Sequence, residues 1–172
     1  MSLEGTSGVV VESTSSPGQS YYRSGSTWLD LYNFNSTANF CIKGLANKIL
    51  NVPGQYPTLQ DALAAAGSGD EIWVAEGIYK PDQGIGITPG ERTAAFRLES
   101  GVAIYGGFPP GGGQWEDRNP TIYKTILSGD LSGNDGSNFA NNDENSYHVV
   151  TGSGTTATAV LDGFTITGGN AD

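Results

Sequence analysis

A glycine-rich loop near the middle of the chain carries an aromatic side chain beside charged ones. Residues 109–119 read P-P-G-G-G-Q-W-E-D-R-N, so Trp115 is followed by Glu116, Asp117 and Arg118. An aromatic ring beside carboxylates is a combination that sugar-binding sites use. Trp115, Glu116 and Arg118 are therefore candidate carbohydrate-binding residues. The alternative is that Trp115 folds back onto the neighbouring strands.

A second loop is rich in the oxygen-bearing side chains that hard cations prefer. Calcium needs roughly six to eight converging oxygens. The segment Gly-Asn-Asp-Gly at 133–136 resembles part of a calcium turn, although the full D-x-D-x-D-G spacing is absent. Asn134, Asp135 and Asp143 are the candidate calcium ligands, and the alternative is a solvated loop. The oxygen-bearing residues of this loop are Asn134, Asp135, Asn138, Asn141, Asn142, Asp143 and Glu144.

The same loops offer no arrangement typical of catalysis. A polysaccharide lyase needs a cation that neutralises the uronate and a base that takes the adjacent proton. No Asp-x-x-Asp or Asp-Asp pair sits on a predicted strand with an arginine. Asp130 and Asp162 occupy turn positions, where hydrogen bonds to their own backbone explain them. The single histidine, His148, is interpreted as a packed or rim residue. We therefore predict no catalytic residue and a chain that is not an enzyme.

Charge and composition limit the classes of partner that the chain can bind. The formal charge is −10, with eight lysines and arginines in 172 residues. Nucleic acid is excluded because phosphate contacts need a basic stripe, and an anionic membrane surface is excluded for the same reason. No stretch approaches the roughly 20 apolar residues of a membrane-spanning helix, so we predict no membrane insertion. Low lysine content with abundant Asn, Thr, Ser and Gly favours an extracellular or cell-surface location.

A short amphipathic helix is predicted at residues 58–66. Thr58 is the expected N-cap, because its hydroxyl can accept from a free amide of the first turn. Asp61, three residues on, can answer as a capping-box partner. Leu59 and Leu63 fall on one face at helical spacing and are expected to cover the core.

A strand follows this helix after a turn. Gly67 is expected to end the helix in a left-handed conformation. Residues 72–75 then form a short apolar run in which Ile72 and Val74 begin the core of the sheet.

The strands that follow share one pattern, three or four apolar or β-branched residues and then a turn with Gly, Asp or Asn. Ile104, Leu127 and Val149 recur at intervals of 23 and 22 residues. This length is typical of one coil of a solenoid. The spacing predicts an all-β chain, a parallel β-helix of few coils that the helix at 58–66 caps. The alternative is a β-sandwich or a barrel.

Several segments resemble right-handed parallel β-helix proteins of the pectate-lyase-like superfamily, closest to large bacterial and archaeal surface proteins. The resemblance covers about residues 56–170 and implies a right-handed β-helix at its capped N-terminal end. It is carried by T-L-Q-D-A-L at 58–63, G-D-E-I-W-V at 69–74, G-I-Y at 77–79, I-Y-G-G-F at 104–108, T-I-L-S-G-D at 125–130, Y-H-V-V at 147–150 and V-L-D-G-F-T-I at 160–166.

Residues 1–44 form a separate β-rich arm in the predicted domain division, with the β-helix at 45–172. A hairpin is expected around the turn at 24–26, and Cys41, the single cysteine, is interpreted as a small buried hydrophobe in a later strand. The arm resembles the last strands of lectin-like β-sandwich modules that accompany secreted papain-like peptidases. The matching segments are P-G-Q-S-Y-Y at 17–22, G-S-T-W-L-D-L at 25–31 and S-T-A-N-F-C-I-K at 36–43.

These observations favour a non-catalytic extracellular module with a surface-structural or adhesive role. Its predicted partners are cell-surface glycans or further copies of itself, in a homo-oligomer or filament, because residues 160–167 show no cap after the last predicted strand. Calcium is the one cofactor that the sequence suggests. The alternative function is a carbohydrate-active enzyme of lyase or hydrolase type whose active site lies outside this chain.

Overall fold

The computed structural model describes residues 21–24, 26–30, 33 and 47–171. The chain divides into two compact units, Met1–Leu45 and Ala46–Asp172. In the first unit, strands β1 (Tyr21–Ser24) and β2 (Thr27–Asp30) pair antiparallel, which confirms the predicted hairpin. The other strand predicted for this arm, with Cys41, and most of the lectin-like resemblance lie outside the described residues.

The second unit contains one α-helix and nine short strands among its described residues. It also contains two single-turn 3-10 helices, at Trp115–Asp117 and Ser137–Phe139. The other elements, in chain order, are β3 (Ile49–Val52), α1 (Leu59–Ala65), β4 (Glu71–Ala75), β5 (Gly77–Tyr79), β6 (Phe96–Arg97), β7 (Ala103–Phe108), β8 (Thr125–Ser128), β9 (Val150–Thr151), β10 (Val160–Asp162) and β11 (Phe164–Thr167).

The strands of this unit pair in parallel and form three separate sheets. The largest has the order β10-β7-β4-β3, the second has the order β11-β8-β5, and the smallest pairs β6 with β9. Every one of these pairings joins strands that are distant in sequence, such as β4 with β7 and β5 with β8.

The predicted fold class, an all-β right-handed parallel β-helix, is wrong. The strands belong to sheets of two to four members, and no closed solenoid or barrel forms among the described residues. Ile104, Leu127 and Val149, which were expected to recur coil after coil, lie in β7, in β8 and directly before β9, in or beside three different sheets. The recurrence of apolar triplets therefore marks strands correctly but does not give their pairing.

The alternation of side chains along the largest sheet builds the core. The register aligns Leu50, Ile72 and Ile104 on neighbouring strands, and each of them is almost fully buried. Successive side chains of a strand point to opposite faces of its sheet, so the residues between these lie on the outer face. Val52 and Val74 form a second buried pair in the same register.

Helix α1 covers one end of this core. Thr58 is its N-cap, since its Oγ1 accepts a hydrogen bond from the Asp61 N–H at 3.1 Å. Leu59 and Leu63 are buried against the core, together with Ala62 between them. The predicted helix at 58–66 is thus present in a slightly shorter form.

The end of this helix differs from the prediction. Ala66 is the C-cap, and the left-handed residue is Gly69, with a φ of 96°, rather than Gly67. The Asp70 carboxylate makes this turn possible, because it accepts from the Gly67 N–H at 2.9 Å and from the Lys48 N–H at 2.9 Å. These hydrogen bonds, that from Lys48 first, lower the pKa of Asp70.

Candidate functional site

The outer face of the four-stranded sheet carries a row of polar and aromatic residues. The parallel register places Asn51 of β3 beside Trp73 of β4, Trp73 beside Tyr105 of β7, and Tyr105 beside Asp162 of β10. The row exists because each of these residues alternates with a core residue along its strand.

Trp115 covers this row and forms an aromatic cluster with Trp73, Tyr105 and Phe108. The Trp73 and Phe108 rings stack, with centroids 4.7 Å apart. The Trp115 ring lies 4.9 Å from Tyr105 in an edge contact and 5.6 Å from Trp73. Trp115 still exposes 43% of its surface, so one part of the ring is held by the sheet and the other faces solvent.

Arg118 fixes Trp115 to the sheet. Its Nε donates to the Gly106 carbonyl at 2.8 Å, and its Nη2 forms an ion pair with Asp162. The guanidinium also lies 5.3 Å from the Trp115 ring centroid and 5.4 Å from that of Tyr105, within the range of cation–π attraction. One planar group therefore joins the loop, the sheet and two rings.

The close approach of Arg118 depends on a glycine. Gly163 has a φ of 82°, and a Cβ at this position would meet the Arg118 guanidinium and lie 2.7 Å from the Gly106 carbonyl oxygen. Any side chain here would combine a strained backbone with a clash against backbone atoms.

A polar cleft borders the aromatic cluster. It encloses about 380 Å³ and is lined by Asn51, Gly54, Gln55, Gln114 and the glycines at 111–113. Two of its lining residues are neighbours of the tryptophans: Asn51 pairs with Trp73 in the sheet register, and Gln114 directly precedes Trp115.

One further carboxylate faces the cluster. The Oε2 atom of Glu71 accepts a hydrogen bond from the Trp73 indole N–H at 2.8 Å. This bond holds the Glu71 carboxylate beside the Trp73 ring. The Trp73 indole is thus bound to a carboxylate, and the exposed Trp115 indole lies against a guanidinium.

The predicted carbohydrate residues are only partly brought together. Trp115 and Arg118 are in contact, whereas Glu116 is exposed on the short helix between them. Trp73, Tyr105 and the ion-pairing role of Asp162 are functional features that the sequence did not predict. Trp73 and Tyr105 interrupt apolar strands at alternate positions, and this alternation is the signal that would have indicated an outward aromatic pair.

The acidic loop, residues 129–146, contains a carboxylate cluster that differs from the predicted calcium set. Ligand oxygens of Asp130, Asp135 and Glu144 lie within 4.8 Å of one another. Of the predicted ligands, Asp135 belongs to this cluster. Asn134 contributes its N–H to Asp130, and Asp143 is exposed outside the cluster.

Backbone amides organise the carboxylate of Asp130. The N–H groups of Gly133, Asn134 and Asp135 donate to it at 2.6, 3.0 and 3.1 Å. Burial opposes ionisation of this carboxyl, but the three backbone donors outweigh it, so the pKa of Asp130 lies below its usual value. The turn interpretation of Asp130 is therefore confirmed.

The same interpretation is wrong for Asp162. This residue lies in β10, and its carboxylate binds Arg118 rather than its own backbone. His148 is exposed just before β9, as expected of a rim residue.

Three buried side-chain oxygens of the acidic loop, on Glu144, Asn145 and Ser146, have no hydrogen-bond partner. Asn145 is 2% exposed, and its Nδ2 donates to Asp135 Oδ2 at 2.9 Å while its Oδ1 has no partner. Glu144 Oε1 is in the same condition, although Glu144 Oε2 accepts from the Ser132 N–H at 3.2 Å. Asp135 and Asn145 also line a cavity of about 400 Å³.

None of the helices in the described part of the chain is both long and apolar enough to cross a membrane. Comparisons with protein-family models, with curated proteins and with solved structures return no match for this chain.

Proposed function

We propose that this chain is a non-catalytic carbohydrate-binding module of an extracellular adhesive or structural protein. The observation that carries the proposal is the half-exposed indole of Trp115, held at the sheet surface by Tyr105, Trp73 and Arg118. Aromatic rings fixed in this way present a flat apolar face at little entropic cost, and polar groups beside them supply orientation and specificity.

The charges around the indole favour an uncharged glycan. Arg118 is already neutralised by Asp162, and Glu71 adds a carboxylate in contact with the cluster. The whole chain carries a formal charge of −10, so an anionic polysaccharide would be repelled at low ionic strength. Sugar hydroxyls can instead donate to Glu71 and Asp162 and exchange hydrogen bonds with the amides of Asn51 and Gln114.

Trp115 should supply most of the apolar contact with the glycan. A glycan array screened with the full chain identifies the best neutral ligand, and calorimetry measures its affinity. Trp115→Ala should lower this affinity by about tenfold or more, because stacked aromatic contacts are the main apolar contribution to binding. Trp115→Phe should retain part of the affinity because it keeps a ring.

The matched control is Phe139→Ala, which removes another exposed ring, 84% exposed, from the acidic loop. Its affinity should equal that of the unmodified chain. An array without any signal, or equal losses in the Trp115 and Phe139 variants, would contradict the proposal. Release of shortened products from the bound glycan would favour the enzymatic alternative.

A second candidate function, self-association, is favoured by the edge strands of the two larger sheets. Within the described residues, β10 and β11 each pair with one neighbour only. Val160 and Ile166 on these strands are 36% and 51% exposed. Unpaired strand edges with exposed apolar side chains are templates for another chain.

A further inference from the structure

The carboxylate cluster of the acidic loop concentrates negative charge that no ion pair balances among the described residues. Asp130, Asp135 and Glu144 form no ion pair with any described lysine or arginine. Lys80, from outside this loop, reaches it with its ammonium group, which donates to the Leu131 carbonyl at 3.0 Å. Like charges this close repel one another unless protons or a bound cation neutralise them.

The unpartnered oxygens of Asn145 and Glu144 are an independent observation that points to an electropositive ligand. Asn145 is almost fully buried, its carboxamide contacts Asp135, and its Oδ1 accepts no hydrogen bond. Glu144 Oε1 is also inaccessible and accepts none. A buried acceptor without a donor costs free energy, and a metal ion satisfies such oxygens where no N–H or O–H can.

We propose that Asp130, Asp135 and Glu144, with the Asn145 carboxamide oxygen, form a calcium site that orders the acidic loop. The donor set consists of carboxylate and amide oxygens, which are the ligands of hard cations. Calcium is favoured over magnesium because the ligands come from an irregular loop, and calcium tolerates variable geometry whereas magnesium demands a near-ideal octahedron. Water would complete the coordination.

A cation at this site would restrain the conformation of the acidic loop. The loop is anchored at its ends, where Gly129 N–H donates to Thr167 O at 2.9 Å and Ser146 N–H donates to Gly129 O at 2.8 Å. Between these anchors, residues 132–140 are exposed. Joining Asp130 at one end to Glu144 at the other would close this exposed segment into a ring.

The test is calorimetric titration of the full chain, freed of divalent ions by chelation, with calcium chloride and then with magnesium chloride. We expect calcium to bind and to raise Tm, with magnesium weaker by about tenfold. Glu144→Gln keeps the shape of the side chain and should weaken calcium binding by about tenfold or more. Asp143→Asn is the matched control, because it removes one charge from the same loop outside the cluster and should leave the affinity within about twofold.

Each outcome decides the proposal. Absence of calcium binding up to roughly 10 mM, beyond the range of weak extracellular sites, overturns it. Equal losses in the two variants also overturn it, because a diffuse acidic surface would then explain the binding. Should Glu144→Gln fail to fold, hydrogen exchange on the unmodified chain replaces it: calcium must slow exchange at the amides of residues 132–135, and protection confined to other segments refutes the site.

Discussion

At the residue scale, Thr125 shows how one hydroxyl joins two sheets. The side chain is 1% exposed in β8, and its Oγ1 accepts from the Gly107 N–H of β7 at 2.8 Å. The same hydroxyl lies 3.3 Å from the Ala75 carbonyl of β4, to which it can donate. The backbone of β7 next to the aromatic cluster therefore depends on a polar group of the neighbouring sheet.

Replacing Thr125 by valine tests this dependence. Valine keeps the volume but leaves the buried Gly107 N–H without an acceptor, so we expect a loss of about 1–3 kcal/mol in the free energy of unfolding. Urea denaturation measures it. Thr165→Val, on the exposed face of β11, serves as control and should change the free energy by no more than about 0.5 kcal/mol. Similar small effects in both variants would show that Thr125 has no such role.

Residue types alone indicated part of the candidate carbohydrate site. Trp115 and Arg118 stand close together in the sequence, and the glycines before them signal an exposed loop. Trp73 and Tyr105 could not be assigned in the same way, because their rings meet Trp115 only when β4 and β7 pair in the observed register. An aromatic residue in an apolar strand can face either side of its sheet, and the register decides which.

At the element scale, Asp70 connects the start of the largest sheet to helix α1. Its two carboxylate oxygens accept from the Lys48 N–H, just before β3, and from the Gly67 N–H, just after the helix. The carboxylate also stands at the start of β4 and is buried. Three elements are thus held by one ionised group.

The pH dependence of stability should report this group. The pKa of Asp70 is lowered in the folded state by the hydrogen bonds from Lys48 and Gly67. Its stabilising contribution is therefore complete above the ordinary aspartate pKa of about 3.8 and is lost as the pH falls through the lower, folded-state pKa. Urea denaturation at pH values from 7 downwards measures the free energy of unfolding. Asp70→Asn should be less stable than the unmodified chain at neutral pH, and this difference in the free energy of unfolding should decrease on acidification. A difference that is constant across the pH range would refute this assignment.

At the scale of the whole molecule, the arrangement of edge strands bears on assembly. β11 runs parallel to β8 with Phe164 beside Thr125 and Thr167 beside Ser128, and its other edge has no partner strand among the described residues. The exposed Ile166 would make an added strand more favourable.

Ile166→Lys tests self-association through this edge. An edge lysine opposes strand addition because its charge would be buried in the contact. Sedimentation velocity at increasing protein concentration should show oligomers for the unmodified chain and a shift of the distribution towards monomer for the variant. Ile122→Lys, at another exposed isoleucine outside the strands, is the control and should leave the distribution unchanged. A monomer at all concentrations would contradict self-association.

Short-range sequence signals are enough to predict the local elements of this protein. Helix α1, its Thr58 cap and the hairpin of β1 and β2 follow from side chains within a few residues of one another, and so do the positions of most short strands. The tertiary structure alone decided which strands pair. Ile104, Leu127 and Val149 recur at near-equal intervals, yet they lie in or beside three different sheets, because each strand selects partners by burial and backbone hydrogen bonding across long and unequal connections.

The same long-range pairing placed Tyr105 and Trp73 beneath Trp115, and the folding of the acidic loop placed Glu144 beside Asp130. Local sequence predicts neither of these contacts, because residues distant along the chain become neighbours only when the chain between them has folded.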